Sequence, residues 1–274
     1  MRTIDLNRDS LTYVAIGDSF TEGVGDPHTP ERAVHEGEFR GWADRFAEHL
    51  AGHVGEVRYA NLAVRGKLLR QVMADQLPRA LELRPDLVSF SAGGNDLLRP
   101  GADPDRLALV LEEGVRRLRA AGSEVVLFTG VNITGGYMRA LIGTFARYYL
   151  NIRAIADRHG CYLVDQWSMG VLADARAWDA DRLHMSPEGH RRLALKVCEV
   201  LGVPVAGRWD DPWPPVPAVP WFTARGEDLR WARSFLVPWV GRRLTGRSSG
   251  DSVTAKRPAP ERVRRLERED DPSR

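Results

Sequence analysis

The stretch Val14-Ala15-Ile16-Gly17-Asp18-Ser19-Phe20-Thr21-Glu22-Gly23 decides how the rest of the chain is read. Residues 11–16 form an apolar run that predicts a buried strand. The run breaks at Gly17, and the next side chains are Asp18 and Ser19. A serine just past a strand end sits at the rim of a sheet, where open α/β folds place their ligands. Taken alone, Gly-Asp-Ser is also ordinary turn chemistry, because each of these residues favours tight turns.

Working outward, strand-like runs recur at residues 57–62, 86–91, 124–129 and 161–165. Helical spacing falls between them. It covers 41–50, with Trp42, Phe46 and Leu50 on one face, and 67–83, interrupted or ended near Pro78. It returns at 103–121, at 138–159 before Gly160, and at 187–201. Asp103-Pro104 reads as a helix start with proline in the first turn. Strands alternating with helices predict an α/β protein with a parallel sheet and right-handed crossovers. About five such strands fit a flavodoxin-like doubly wound sheet in a three-layer α/β/α arrangement.

Three further polar clusters follow strand-like runs: Asn61-Leu62-Ala63-Val64-Arg65-Gly66, Gly93-Gly94-Asn95-Asp96 and Asp181-Arg182-Leu183-His184. With Gly17-Asp18-Ser19-Phe20 they resemble, in order, the blocks of the SGNH hydrolases, also called the GDSL esterase/lipase family. The resemblance runs from about Tyr13 to about Ala194 and implies the SGNH hydrolase fold. The serine does not stand in the Gly-x-Ser-x-Gly elbow of the α/β-hydrolases, which favours the SGNH type. Phe20 is a mild departure, since the family serine is often followed by leucine or isoleucine.

In a parallel sheet every strand delivers its C-terminal end to one rim, so these four blocks are expected to converge. Ser19 is the candidate nucleophile, and it needs a base within hydrogen-bond reach. His184 can be that base. Asp181, three residues earlier, can hold the imidazole in the required tautomer. Gly66 offers an unobstructed backbone N–H and Asn95 a side-chain amide as oxyanion donors. By the resemblance, the Ser19 N–H completes that trio. Asp18 is expected to tie down its own loop, Asn61 to brace the rim in the same way, and Asp96 to act as a helper or cap. Gly93 and Gly94 are expected to allow the bend that aims Asn95.

The expected activity is that of a serine esterase working through an acyl-enzyme. Its substrates would be short acyl esters, lysophospholipids or acetylated carbohydrates, and it would need no cofactor and no metal. The other reading is a catalytically silent protein of the same fold that binds or scaffolds. Gly23-Val24-Gly25 lacks the third glycine and the helix context of a dinucleotide fingerprint. The loops at 22–40 and 130–139 are expected to shape the pocket.

The 274 residues, 43% hydrophobic and 28% charged, suit one sizeable core with an appendage. A net charge of +2 argues against a nucleic-acid partner. Two cysteines, Cys161 and Cys198, are too few for a disulfide framework. Residues 1–10 lack the apolar stretch of a signal peptide, and no apolar run reaches the ~18 residues of a membrane span. A cytoplasmic location is therefore expected. Residues 1–203 are assigned to the hydrolase domain. Residues 204–245 are rich in proline and tryptophan and hold five of the eight tryptophans. This extension is expected to pack on the core, with weak membrane or partner contact as the other reading. Residues 246–274, rich in Arg, Glu, Ser and Pro, are expected to be a disordered charged tail.

Overall fold

The computed structural model describes residues 3–28, 39–132, 137–217, 220–238, 241 and 250–264. Six strands form one sheet: β1 (Ser10–Gly17), β2 (Glu56–Asn61), β3 (Leu87–Ser91), β4 (Glu124–Phe128), β5 (Tyr162–Val164) and β6 (Arg257–Arg262). Their spatial order is β5-β4-β3-β1-β2-β6. The first five run parallel, in the flavodoxin-like order with its switch point between β1 and β3. Ala15 lies opposite Asn61, and Gly17 opposite Ser91, so the first three polar clusters begin at one rim.

The helices are α1 (Ser19–Glu22), α2 (Gly41–Leu50), α3 (Leu69–Gln71), α4 (Leu77–Glu82), α5 (Gly94–Leu97), α6 (Pro104–Ala120), α7 (Ile142–His159), α8 (Pro187–Leu201) and α9 (Trp221–Trp231). β1 is apolar on both faces because both are covered. Leu11, Tyr13 and Ala15 pack with Trp42, Phe46 and Leu50 of α2 and with Leu193, Val197 and Leu201 of α8. Val14 and Ile16 pack on the other face with Val72, Leu77, Leu118 and Ile152. Each fully buried large apolar side chain contributes about 1.5–3 kcal/mol through area removed from water. That gain draws the helices into two layers.

The helix starts follow their signals. Asp103 accepts the N–H groups of Asp105 and Arg106, with Pro104 in the first turn. Ser186 caps α8 by accepting from the Gly189 N–H. Pro78 does not end its helix. Instead a π-helical turn over Val72–Gln76 precedes it, and α4 restarts with Pro78 at a position whose N–H needs no partner.

The C-terminal residues correct one expectation. The tail expected to be disordered includes β6, which pairs antiparallel with β2. The Val263 N–H donates to the Val57 carbonyl at 2.9 Å. Pro258 and Pro260 fall where the β2–β6 register shifts, between the Tyr59–Glu261 and Asn61–Arg257 pairs, and an irregular antiparallel ladder is where a strand tolerates proline. Lys256 anchors the entry to this strand. Its ammonium donates to the carbonyls of Phe39 and Arg40, each at 2.8 Å, and pairs with Asp44 at 3.1 Å. Composition missed the strand because it is held by main-chain bonds and one buried ion pair, not by apolar area. Residues 242–249 and 265–274 lie outside the described residues.

The extension packs on the core through its first part. Trp209 and Trp213 lie against the α2/α8 side, and the buried Arg192 guanidinium sits 4.2 Å from the Trp213 ring centroid. The helical spacing of Leu229, Phe235 or Leu236, and Trp239 or Val240 predicts an apolar stripe in the second part, but Leu229 is 68% exposed and Phe235 39% exposed. Trp239 and Val240 lie outside the described residues. Among the described residues, no helix is long and apolar enough to cross a membrane.

Candidate active site

The rim is built first at the end of β1. The Gln76 side chain clasps Gly17 from both sides: the Gly17 N–H donates to Oε1 at 2.8 Å, and Nε2 donates to the Gly17 carbonyl at 2.9 Å. Gln76 ends the π-helical turn, and that extra residue aims it at the strand. Sequence reasoning passed over it. The sequence carries no signal for it, because the same helical stretch also holds Arg70, Gln71, Asp75 and Arg79. Asp18 then caps α1, with Oδ1 accepting the Phe20 N–H at 3.1 Å. Ser19 is the first residue of this helix and is half-buried. The Phe20 ring packs on Trp42 and Phe128, with centroids 5.5 and 5.8 Å away. The aromatic departure at this position thus anchors α1 to the core.

The second block closes against the first. Asn61 Nδ2 donates to the Thr21 carbonyl at 2.9 Å, and Asn61 Oδ1 accepts the Ala63 N–H at 3.1 Å, so the residue braces the rim. Glu22, also unforeseen, is buried. Its carboxylate accepts the Arg65 backbone N–H at 2.6 Å and pairs with the Arg65 guanidinium. That pair holds the chain immediately before Gly66. Removing either partner would leave a charge with lost compensation, so the loop is strongly tied.

Asn95 joins the blocks. Its Nδ2 donates to the Lys67 carbonyl at 3.1 Å and to Asp18 Oδ2 at 3.3 Å. The bend that aims it lies at Gly93, with φ +101°, whereas Gly94 is already the first helical residue and needs no special conformation. The expectation for Gly94 is corrected to that extent. Asp96 serves as a cap: its Oδ2 accepts the Leu69 N–H at 2.9 Å.

The fourth block arrives from the far side of the sheet. Asp181 Oδ1 accepts the N–H groups of Leu183 and His184, each at 2.9 Å. Asp181 Oδ2 and His184 Nδ1 share a hydrogen bond of 2.6 Å. The loop after α1 is knitted to this region. The Val24 N–H donates to the Ser19 carbonyl, and the Val24 carbonyl accepts from His190 Nε2 at 3.1 Å. Gly25 lies against Met185, where a Cβ would stand 2.1 Å from the Met185 carbonyl oxygen. Only glycine permits that approach, which sets the residue after His184 against the turn that leaves Ser19. Burial holds the His190 ring down to about 4, so this histidine is a neutral strut.

Two carboxylates at the rim diverge. Burial pushes Asp18 up to about 6, offset in part by the Phe20 N–H and by the charge of His184. Burial also raises Asp181, but its hydrogen bonds and the His184 charge outweigh this and bring it to about 2. Asp18 therefore binds its proton more tightly folded than at its ordinary 3.8, and the folded state loses stability as pH rises from about 4 to about 6. The loss is on the order of 3 kcal/mol. Urea unfolding at pH 4 and pH 7 should show it as a gap between wild type and Asp18→Asn that opens across this window. Parallel curves at both pH values would contradict the shift.

A cleft of about 150 Å³ opens beside Gly66, lined by Arg65, Lys67, Gln71 and, from the C-terminal segment, Gly250, Asp251 and Val253. Of the loops expected to shape a pocket, residues 29–38 and 133–136 lie outside the described residues.

The GDSL-like lipase/acylhydrolase family model matches residues 15–192. Esterase TesA of Pseudomonas aeruginosa is 28% identical over 191 residues, which is 69% of this chain and 87% of that protein. The crystal structure of TesA superposes with a TM-score of 0.56 over 69% of this chain and 97% of its own. Axe2, an acetylxylan esterase from Geobacillus stearothermophilus, superposes with a TM-score of 0.57 at 21% identity, over 73% of this chain and 95% of its own, a likeness of fold. The match covers well over half of the chain, which therefore belongs to the GDSL-like lipase/acylhydrolase family of carboxylic ester hydrolases.

Proposed function

We propose that the chain is a serine esterase that works through an acyl-enzyme, with Ser19, His184 and Asp181 as its triad. The observation that carries this is the 2.6 Å hydrogen bond between Asp181 and His184 Nδ1. A proton held on Nδ1 leaves Nε2 as the acceptor for the Ser19 hydroxyl. Ser19 Oγ attacks the ester carbonyl as His184 takes its proton. The imidazolium then protonates the leaving alcohol, and water repeats the sequence on the acyl-enzyme. Asp181, ionised down to about pH 2, stabilises the imidazolium throughout.

The carbonyl oxygen becomes negative in the tetrahedral intermediate. The backbone N–H groups of Ser19 and Gly66 and the Asn95 amide donate to it. The Asn95 bond to Asp18, at 3.3 Å, is longer than its bond to the Lys67 carbonyl, at 3.1 Å, and that N–H is the one we assign to the oxyanion. Asn95→Ala is expected to lower kcat about 10²- to 10³-fold with KM little changed, because the bond matters in the transition state and not in the ground state. Steady-state kinetics on p-nitrophenyl acetate would read the split. A rise in KM alone would argue against the role.

Arg65, Lys67, Gln71 and Asp251 make the cleft beside Gly66 charged and polar. This lining supports a short acyl group on a polar alcohol, such as an acetylated carbohydrate, as the substrate. A chain-length series from acetyl to lauroyl esters, run beside acetylated sugars, tests it. Rising activity toward the long chains would overturn the preference. Labelling of Ser19 by a fluorophosphonate separates an esterase from a silent protein of the same fold.

A further inference from the structure

The turn Asp181-Arg182-Leu183-His184 carries a strain of its own. Arg182 adopts φ +56°, the left-handed region that non-glycine residues seldom occupy. Such a conformation persists only where its surroundings impose it. Inside the turn, the Arg182 N–H bonds the Asp179 carbonyl at 2.9 Å. The Asp179 N–H bonds the His184 carbonyl at 2.8 Å and Asp181 Oδ1 takes the Leu183 and His184 N–H groups, and α9 adds restraint from outside the turn. Asp228 pairs with the Arg182 guanidinium at 2.7 Å. The Trp231 ring lies under that same guanidinium, 5.3 Å from its centroid. The Trp231 indole N–H donates to the Asp181 main-chain carbonyl at 2.8 Å. Arg225 holds Asp228 in place at 2.8 Å.

An exposed ion pair alone contributes little. Here three contacts from one helix converge on two consecutive residues, and one of these is the proposed orienting acid of the triad. Among the described side chains of α9, the apolar Phe222 and Leu229 are exposed, by 83% and 68%. The Trp231 hydrogen bond, the Asp228 ion pair and the Trp231 ring contact all fall on the turn that presents His184. The family match ends at residue 192, so α9 stands outside the shared scaffold.

We propose that α9 is a brace for this turn, with Trp231 and Asp228 as positioning residues. They hold Asp181 and Arg182 in the conformation that aims His184 at the nucleophile. The inference rests on the triad proposed above. Neither residue touches the reacting atoms, so the brace acts on the rate of the chemical step and not on substrate affinity.

The test uses the full chain and p-nitrophenyl acetate, with active-site concentration set by fluorophosphonate titration. Trp231→Phe keeps the ring and removes the N–H; Asp228→Ala removes the ion pair. Each is expected to lower kcat about three- to tenfold at unchanged KM and unchanged melting temperature, the range of one lost hydrogen bond. Arg182→Gly supplies a residue that enters the left-handed region freely. In that background the further loss from Trp231→Phe should shrink to less than about twofold, since coupled residues are non-additive. Wild-type kcat in both single variants would overturn the brace. So would a full, additive loss in the Arg182→Gly background. Ser19→Ala is run alongside. If it stays active, the triad fails and the brace with it; if it is dead while Trp231→Phe and Asp228→Ala match wild type, the brace alone fails.

Discussion

Ser19→Ala is expected to lower kcat/KM for p-nitrophenyl acetate by at least about 10³-fold, leaving what the oxyanion donors and binding still supply. The alanine lacks the oxygen that would bond to the acyl carbon. The helix survives the change, because Asp18 caps it and Phe20 anchors it. Circular dichroism and melting temperature should therefore match wild type while hydrolysis is lost. The double variant Ser19→Ala/His184→Ala should be no worse than either single one, since a base without a nucleophile does nothing. A Ser19→Ala enzyme with substantial activity, or a further large drop in the double variant, would remove Ser19 from the mechanism.

Asp181→Asn is the second large effect, expected at about 10³- to 10⁴-fold in kcat. The amide preserves size and can still accept the N–H groups of Leu183 and His184, so the turn stays in place. What changes is the 2.6 Å contact to His184 Nδ1. An asparagine Nδ2 placed there donates, which forces the imidazole proton to Nε2 and abolishes the acceptor that Ser19 needs. Because the Asp181 carboxyl ionises at about 2, wild type carries the charge at every working pH. The deficit of the variant should then persist across pH 5 to 9 without recovering at either end. A variant that regains wild-type rate in that window would show that Asp181 is only a turn residue.

Much of the site was legible in the sequence for one reason. Parallel strands deliver their C-terminal ends to a common rim, so polar blocks placed after apolar runs converge without any fine geometry. Gly17, Asn61, Gly93 and the Asp181–His184 turn could each be located by strand order alone. The residues that hold them could not. Gln76 reaches Gly17 only because a π-helical turn adds a residue before Pro78. Glu22 meets Arg65 across two connections, and the pairing leaves no periodic trace in either segment.

The alternation of strands and helices, the two-faced burial of β1 and the order of the four blocks were determined by local pattern, because backbone periodicity and caps are properties of neighbouring residues. Tertiary structure alone decided that a proline-bearing segment near the C-terminus completes the sheet, that Lys256 is buried against Asp44, and that α9 rests on the turn before His184. Each of these joins residues far apart in the chain through hydrogen bonds and charges. Such contacts depend on where a partner lies in space, and no window of sequence contains both halves of them.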